Sequence, residues 1–117
     1  MGVNRVLVTH PHFLVDAGAD DMRNWQSLGA YMEFAAVISL PSSPIYCRPV
    51  EVVADLIKSL DVEKIVLSSD LGLKKAGWPI EGMSAFLELL REAGVSSDDL
   101  KKMIATNPAN LLNMKVY

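Results

Sequence analysis

The sequence predicts an α/β fold, a small parallel sheet with flanking helices. Three observations point there. Short Val-rich runs at residues 5–9 and 64–68 read as buried strands. Apolar residues recur at helical spacing in the segments between and after them. The two kinds of element alternate along the chain, as they do when helices cross over between parallel strands.

Taken in order, the first run "RVLVT" is bounded by Pro11. Asp20 and Asp21 then open a helix to about Leu28, because acids favour the first turn, where the helix dipole is positive. Gly29 is its stop, and residues 30–38 form the second strand. "SLPSSPIYCRP", residues 39–49, is the one long loop signal. Pro49 suits the first position of the next helix, whose inner face carries Val53, Leu56, Ile57 and Leu60. Residues 64–68 give the third strand, followed by a loop with Gly72, Gly77 and Pro79. The next helix sets Met83, Phe86, Leu87 and Leu90 on one face and ends at Gly94. Ser96 and Asp99 have capping-box spacing for a short helix with Leu100, Met103 and Ile104 inward. Asn107 is expected as the N-cap, and Pro108 as the first residue, of a last helix holding Leu111 and Leu112.

The chain of 117 residues has the length of one domain, so residues 1–117 are expected to form a single α/β unit. Half of its residues are hydrophobic, enough for a core, and the 21% that are charged are too few for a disordered chain. A net charge of −3 with scattered cations leaves no electrostatic footprint for nucleic acid or an anionic membrane. The single cysteine, Cys47, excludes an intrachain disulfide and a multi-cysteine zinc site, and fits a reducing, cytoplasmic setting. No basic segment followed by an apolar stretch lies near Met1, so no signal peptide is expected. The longest apolar region, residues 28–40, is interrupted by Glu33 and too short to span a bilayer.

Ligands of parallel α/β sheets bind beyond the C-terminal ends of the strands. His10, Glu33 and Asp70 all fall at or near such ends. Strand alternation sets Val6, Val8 and His10 on one face, and Val66, Ser68 and Asp70 on one face. If both strands turn that face the same way, His10 and Asp70 enter one mouth. Imidazole and carboxylate suit zinc, manganese or iron, and a bound metal would bring a water pKa to about 7. Asp70 could equally be the base that takes that water's proton. His12 is the weaker ligand candidate, better suited to support or exposure, and Glu33 is the weakest, readable as a surface residue of an edge strand. The bland alternatives are a locally bonded His10, an "SSD" that merely caps a turn, solvated Lys74 and Lys75, and Trp25, Trp78 and Tyr31 as core or lid contacts. No nucleophile elbow or Gly-rich phosphate loop is present.

Four stretches together carry a family resemblance: "VTHPHF" (8–13), "LGAYMEFAA" (28–36), "VLSSDLGL" (66–73) and "GVSSDDLKKMIATNPANLLNM" (94–114). They resemble the C-terminal half of amidohydrolase-superfamily (β/α)₈ TIM barrels, and most nearly an uncharacterised, amidohydrolase-related group with "THP" and "SSDLG" motifs. The resemblance implies that Asp70 ends the last barrel strand as metal ligand or base, that His10 is a metal ligand ending an earlier strand, and that "NPANLL" closes the barrel. It also implies that the chain corresponds to barrel strands six to eight. The superfamily's first-strand His-x-His motif and its later ligands are not in this sequence.

The expectation is therefore the C-terminal portion of a metal-dependent hydrolase acting on a small molecule. It would be incomplete as an isolated catalyst, because a closed barrel needs eight strands. Its divalent metal, zinc or manganese, would need donors from elsewhere. A homo-oligomer, or a chain supplying the N-terminal barrel half, would cover the open sheet edges and the inner-face residues, read as Val6, Val8 and Val66. The alternative is a non-catalytic α/β assembly or binding module derived from that fold.

Overall fold

The computed structural model describes residues 2–13 and 15–115. Three short strands, β1 (Leu7–Thr9), β2 (Tyr31–Ala35) and β3 (Ile65–Ser68), form one parallel sheet in the order β1-β2-β3. Leu7 pairs with Tyr31 and Thr9 with Glu33; Met32 pairs with Ile65 and Ala35 with Ser68. The connections hold α1 (Ala19–Ser27), α2 (Ala36–Ser39) and α3 (Val50–Ser59). After β3 come α4 (Pro79–Glu92), α5 (Ser97–Lys101) and α6 (Asn107–Leu112), the last two joined by a π-helical turn, Lys102–Thr106. This is an α/β fold with a small three-stranded parallel sheet flanked by helices. Among the described residues no helix is long and apolar enough to cross a membrane.

The sheet buries one face against the helices. Met32, Phe34, Ile65 and Leu67 from the strands pack with Met22 of α1, Val53 and Ile57 of α3, Phe86 and Leu90 of α4, and Met103. Val53, Ile57, Phe86, Leu90 and Met103 are among the positions the helical spacing singles out, and each fully buried side chain of this size contributes about 1.5–3 kcal/mol relative to exposure. The other face carries Leu7, Thr9, Tyr31, Glu33, Val66 and Ser68, as the register requires. It is less evenly covered: Leu7 and Thr9 are exposed, Tyr31 and Glu33 half-buried, Val66 buried. Beyond the strand ends, Ala35, Val37, Ile38 and Ala76 form a second small apolar cluster.

Several expectations are corrected. The second strand stops at Ala35, and residues Ala36–Ser39 turn into α2, which is fully buried. Ala and Val there serve a packed helical turn as well as they would a strand. Glu33 lies on the central strand, not an edge. Val8 packs toward the helices while Val66 lies on the opposite face, so they do not share an inner surface, and Val66 is covered within the chain. Ile104 and Leu112 are exposed rather than inward.

Asn107 is no N-cap. Its backbone is helical, and the helix runs through it from the π turn. Its fully buried side chain donates through Nδ2 to Val62 O and Ile65 O, each at 2.7 Å. Gln26, also buried, does the same service from α1: Nε2 donates to Asp61 O (3.0 Å) and Lys64 O (3.2 Å), and Oε1 accepts from Asp61 N at 3.0 Å. The turn that feeds β3 is thus clamped from two sides.

Candidate functional site

β1 and β3 end side by side across β2, and each chain leaves the sheet through a left-handed residue. His10 has φ +52° and Asp70 has φ +48°. L-residues with side chains adopt this region uncommonly, at a cost, and Asn, Asp and His tolerate it best. The conformation decides the geometry. Along regular strands, alternation would send His10 to the face of Val8 and Asp70 to the face of Val66, which are opposite faces. The left-handed turn at each strand end breaks that alternation, and His10 Nε2 lies 3.1 Å from Asp70 Oδ2.

The pair is asymmetric. The His10 side chain is 13% exposed and the Asp70 side chain 55%. With Nε2 facing the carboxylate, a neutral His10 donates from Nε2 and leaves Nδ1 as the acceptor. Nδ1 is buried, with no partner among the described residues. The His10 N–H donates to Glu33 O at 3.3 Å, which ties the strand end to the centre of the sheet. Phe13 N–H donates to His10 O at 3.0 Å and closes the turn beneath the imidazole, with the Phe13 ring edge-on to it at 6.4 Å.

His12 is buried under this turn, edge-on to Phe34 with 5.0 Å between ring centroids. Neither of its ring nitrogens has a protein partner among the described residues. Burial, with His10 and Arg48 as charged neighbours, pulls its pKa down to about 4, so the ring is neutral at pH 7. The Glu33 side chain stays half-buried on the face opposite the helix core, and it contributes to the pair only through its backbone carbonyl. The structure therefore brings together His10 and Asp70. It sets His12 under them as a packed neighbour, and it leaves Glu33 on the sheet. Among the described residues no three His, Cys, Asp or Glu side chains gather into a metal-binding group.

One contributor has no local signal in the sequence. Arg48, 36 residues beyond His12, reaches back from the loop after α2. Its Nε donates to His12 O at 3.2 Å and its Nη2 pairs with Asp16 Oδ1 at 2.5 Å. The turn that carries His10 is thereby fastened to the rest of the C-terminal edge. Arg48 N–H and Cys47 N–H both donate to Ile38 O, which fixes the loop from which Arg48 projects. A charged side chain 36 positions away is recognisable as a clamp only once the two loops are adjacent.

On the far side, Asp70 is followed by a loop pinned at two points. Leu71 packs against α4 where Gly82 leaves room, since a Cβ there would run into Leu71 Cδ1. Ala76 is buried in the cluster with Ala35, Val37 and Ile38. Gly72 and Gly77 both have positive φ, which lets the loop reverse between these anchors. In comparisons with known proteins, no protein-family model and no curated protein matches the chain.

Proposed function

We propose that the chain is the C-terminal portion of a metal-dependent, amidohydrolase-like hydrolase, incomplete as an isolated catalyst. The observation that carries this reading is the His10–Asp70 pair, 3.1 Å apart at the C-terminal edge of the sheet. Barrels of parallel strands put their reacting groups at that edge and wind their strands in sequence order. The three strands here run in sequence order without reversal.

In this reading Asp70, half exposed, takes a proton from a hydrolytic water, and His10 holds its carboxylate in place. The two residues also offer an imidazole and a carboxylate to zinc or manganese. A catalytic zinc takes three protein ligands and a water. The described residues do not assemble a third donor, so they do not fit a complete metal shell. The remaining donors, with His12 and Glu33 as the weaker candidates on this chain, fall to the strands that complete the barrel. Those strands come from a second copy or from a chain carrying the N-terminal half, and the substrate is a small molecule bound in the completed mouth. The two-donor count also favours a second reading, a non-catalytic α/β assembly or binding module in which the pair only fixes the strand ends.

Zinc and manganese calorimetry on the purified chain, read together with ultracentrifugation across micromolar concentrations, separates these. The hydrolase reading expects weak binding that His10→Ala and Asp70→Asn each abolish, and association that covers the sheet edges. Tight, stoichiometric binding that survives both substitutions would place the ligands elsewhere. A strictly monomeric chain with no metal affinity favours the self-sufficient module.

A further inference from the structure

The loop after Asp70 presents an unusual surface. Trp78 is 78% exposed, Ile80 80% and Leu73 66%. Single exposed apolar residues are ordinary, but three large ones within eight positions are not. Between them stand Lys74 and Lys75, both exposed, and among the described residues neither makes an ion pair. Gly72, Leu73, Lys74, Lys75, Gly77, Trp78 and Pro79 line a cleft of about 540 Å³. That volume is in the range of small-molecule sites, about 300–1,000 Å³.

The cleft is held open by the fold. Leu71 is seated over Gly82, and Ala76 is buried among Ala35, Val37 and Ile38. Ala76 N–H donates to Leu73 O at 2.9 Å, so the two lysines sit on a closed turn whose ends are anchored. Lys75 itself is left-handed, φ +73°, a strained state that its anchored neighbours maintain. Gly72 is two residues from Asp70, which limits their Cα atoms to about 7 Å apart.

We propose that this cleft binds the anionic group and flat apolar body of a small molecule, next to Asp70. The two lysines supply positive charge in a chain whose net charge is −3, so the attraction is local to the cleft. Trp78 and Leu73 supply apolar surface, and a cation beside an indole favours a flat anionic guest that touches both. As the substrate class of the reacting pair this rests on the hydrolase reading, with loops beyond the strand ends forming the substrate wall. As a binding site it stands on the cleft alone.

The test titrates the full chain with 2-naphthoate and with its uncharged counterpart 2-naphthamide, following backbone amide shifts by NMR. Saturable shifts confined to residues 71–80 are expected, with naphthoate binding about ten-fold tighter, the size two partly screened charge contacts give. Lys74→Gln with Lys75→Gln removes that preference, and Trp78→Ala weakens both ligands; all three side chains are exposed, so the fold survives. Equal affinity for acid and amide, shifts elsewhere, or no saturation overturns the proposal. So does lysine-dependent partition onto phosphatidylserine vesicles with no naphthoate binding, which assigns the loop to a lipid surface. No turnover is read, so failure of the hydrolase reading in the metal and association experiments leaves this result standing, and the reverse holds too.

Discussion

At the N-terminal end of the sheet, the buried amides of Gln26 and Asn107 donate to four backbone carbonyls of the turn into β3. At the C-terminal end, His10 Nδ1, both nitrogens of His12, Ser39 Oγ and Ser68 Oγ are buried with no protein partner among the described residues. The contrast is not absolute, since Asn107 Oδ1 is also unpartnered. It is nonetheless lopsided, and the backbone agrees with it: the left-handed His10 and Asp70 both stand at the C-terminal end. Buried polar groups without partners and strained backbone both destabilise a fold. Their collection at one end teaches that the two ends answer different demands. The N-terminal end ties elements together, and the C-terminal end keeps polar groups available, the division of labour expected of parallel α/β sheets.

The largest effect should come from breaking the tied end. Asn107→Ala leaves Val62 O and Ile65 O without their donor in a fully buried setting, and should destabilise the fold by about 3–4 kcal/mol. Urea unfolding measures it, and a loss under 1 kcal/mol would mean the clamp is incidental.

Next comes the pH dependence of the other end. His12 titrates at about 4 in the fold against 6.5 when unfolded, so between those values the unfolded chain binds more protons. Its contribution is complete above about pH 6.5 and falls as pH drops toward 4, by about 3 kcal/mol in all. His12→Leu should flatten that part of the stability profile while the acid limb from the carboxylates stays. An unchanged slope in the variant would show that the ring is not held neutral.

Gln26→Ala should cost less than Asn107→Ala, about 2 kcal/mol, because Asp61 and Lys64 lie closer to solvent than Ile65. A double variant with Asn107→Ala sharpens the comparison: the losses should fall short of additive, since both side chains hold the same turn. The smallest effect belongs to Asp70→Asn. Asp70 is half exposed, so stability should move by no more than about 0.5 kcal/mol, yet the His10 imidazole nitrogen shifts should change as its charged carboxylate partner is replaced by a neutral amide. A large loss of stability with unchanged His10 shifts would mean that the pair serves the fold and not the chemistry.

The sequence by itself determined the class of fold and most of its elements. The apolar run at 64–68, helical spacing through Val53 and Ile57 and through Phe86 and Leu90, and the Ser96 cap with its 3.1 Å bond from Asp99 N are local signals that the structure keeps, the run as β3 over Ile65–Ser68. It also marked His10 and Asp70 as the polar residues at two strand ends. What it could not determine was how they meet. Alternation groups each of them with residues of its own strand but does not say which side of the sheet that face takes; the register sends the two faces to opposite sides, and their approach depends on two left-handed turns and on a sheet order that sets β1 and β3 on either side of β2. The same limit applies to Asn107, which looks like a cap from its neighbour Pro108 and is a clamp because Val62 and Ile65, more than forty residues away, lie within reach of its amide. Periodicity and capping act over a few residues and are written in the chain. Hydrogen bonds and charge pairs between distant loops exist only after packing has brought those loops together, and so tertiary structure alone decided them.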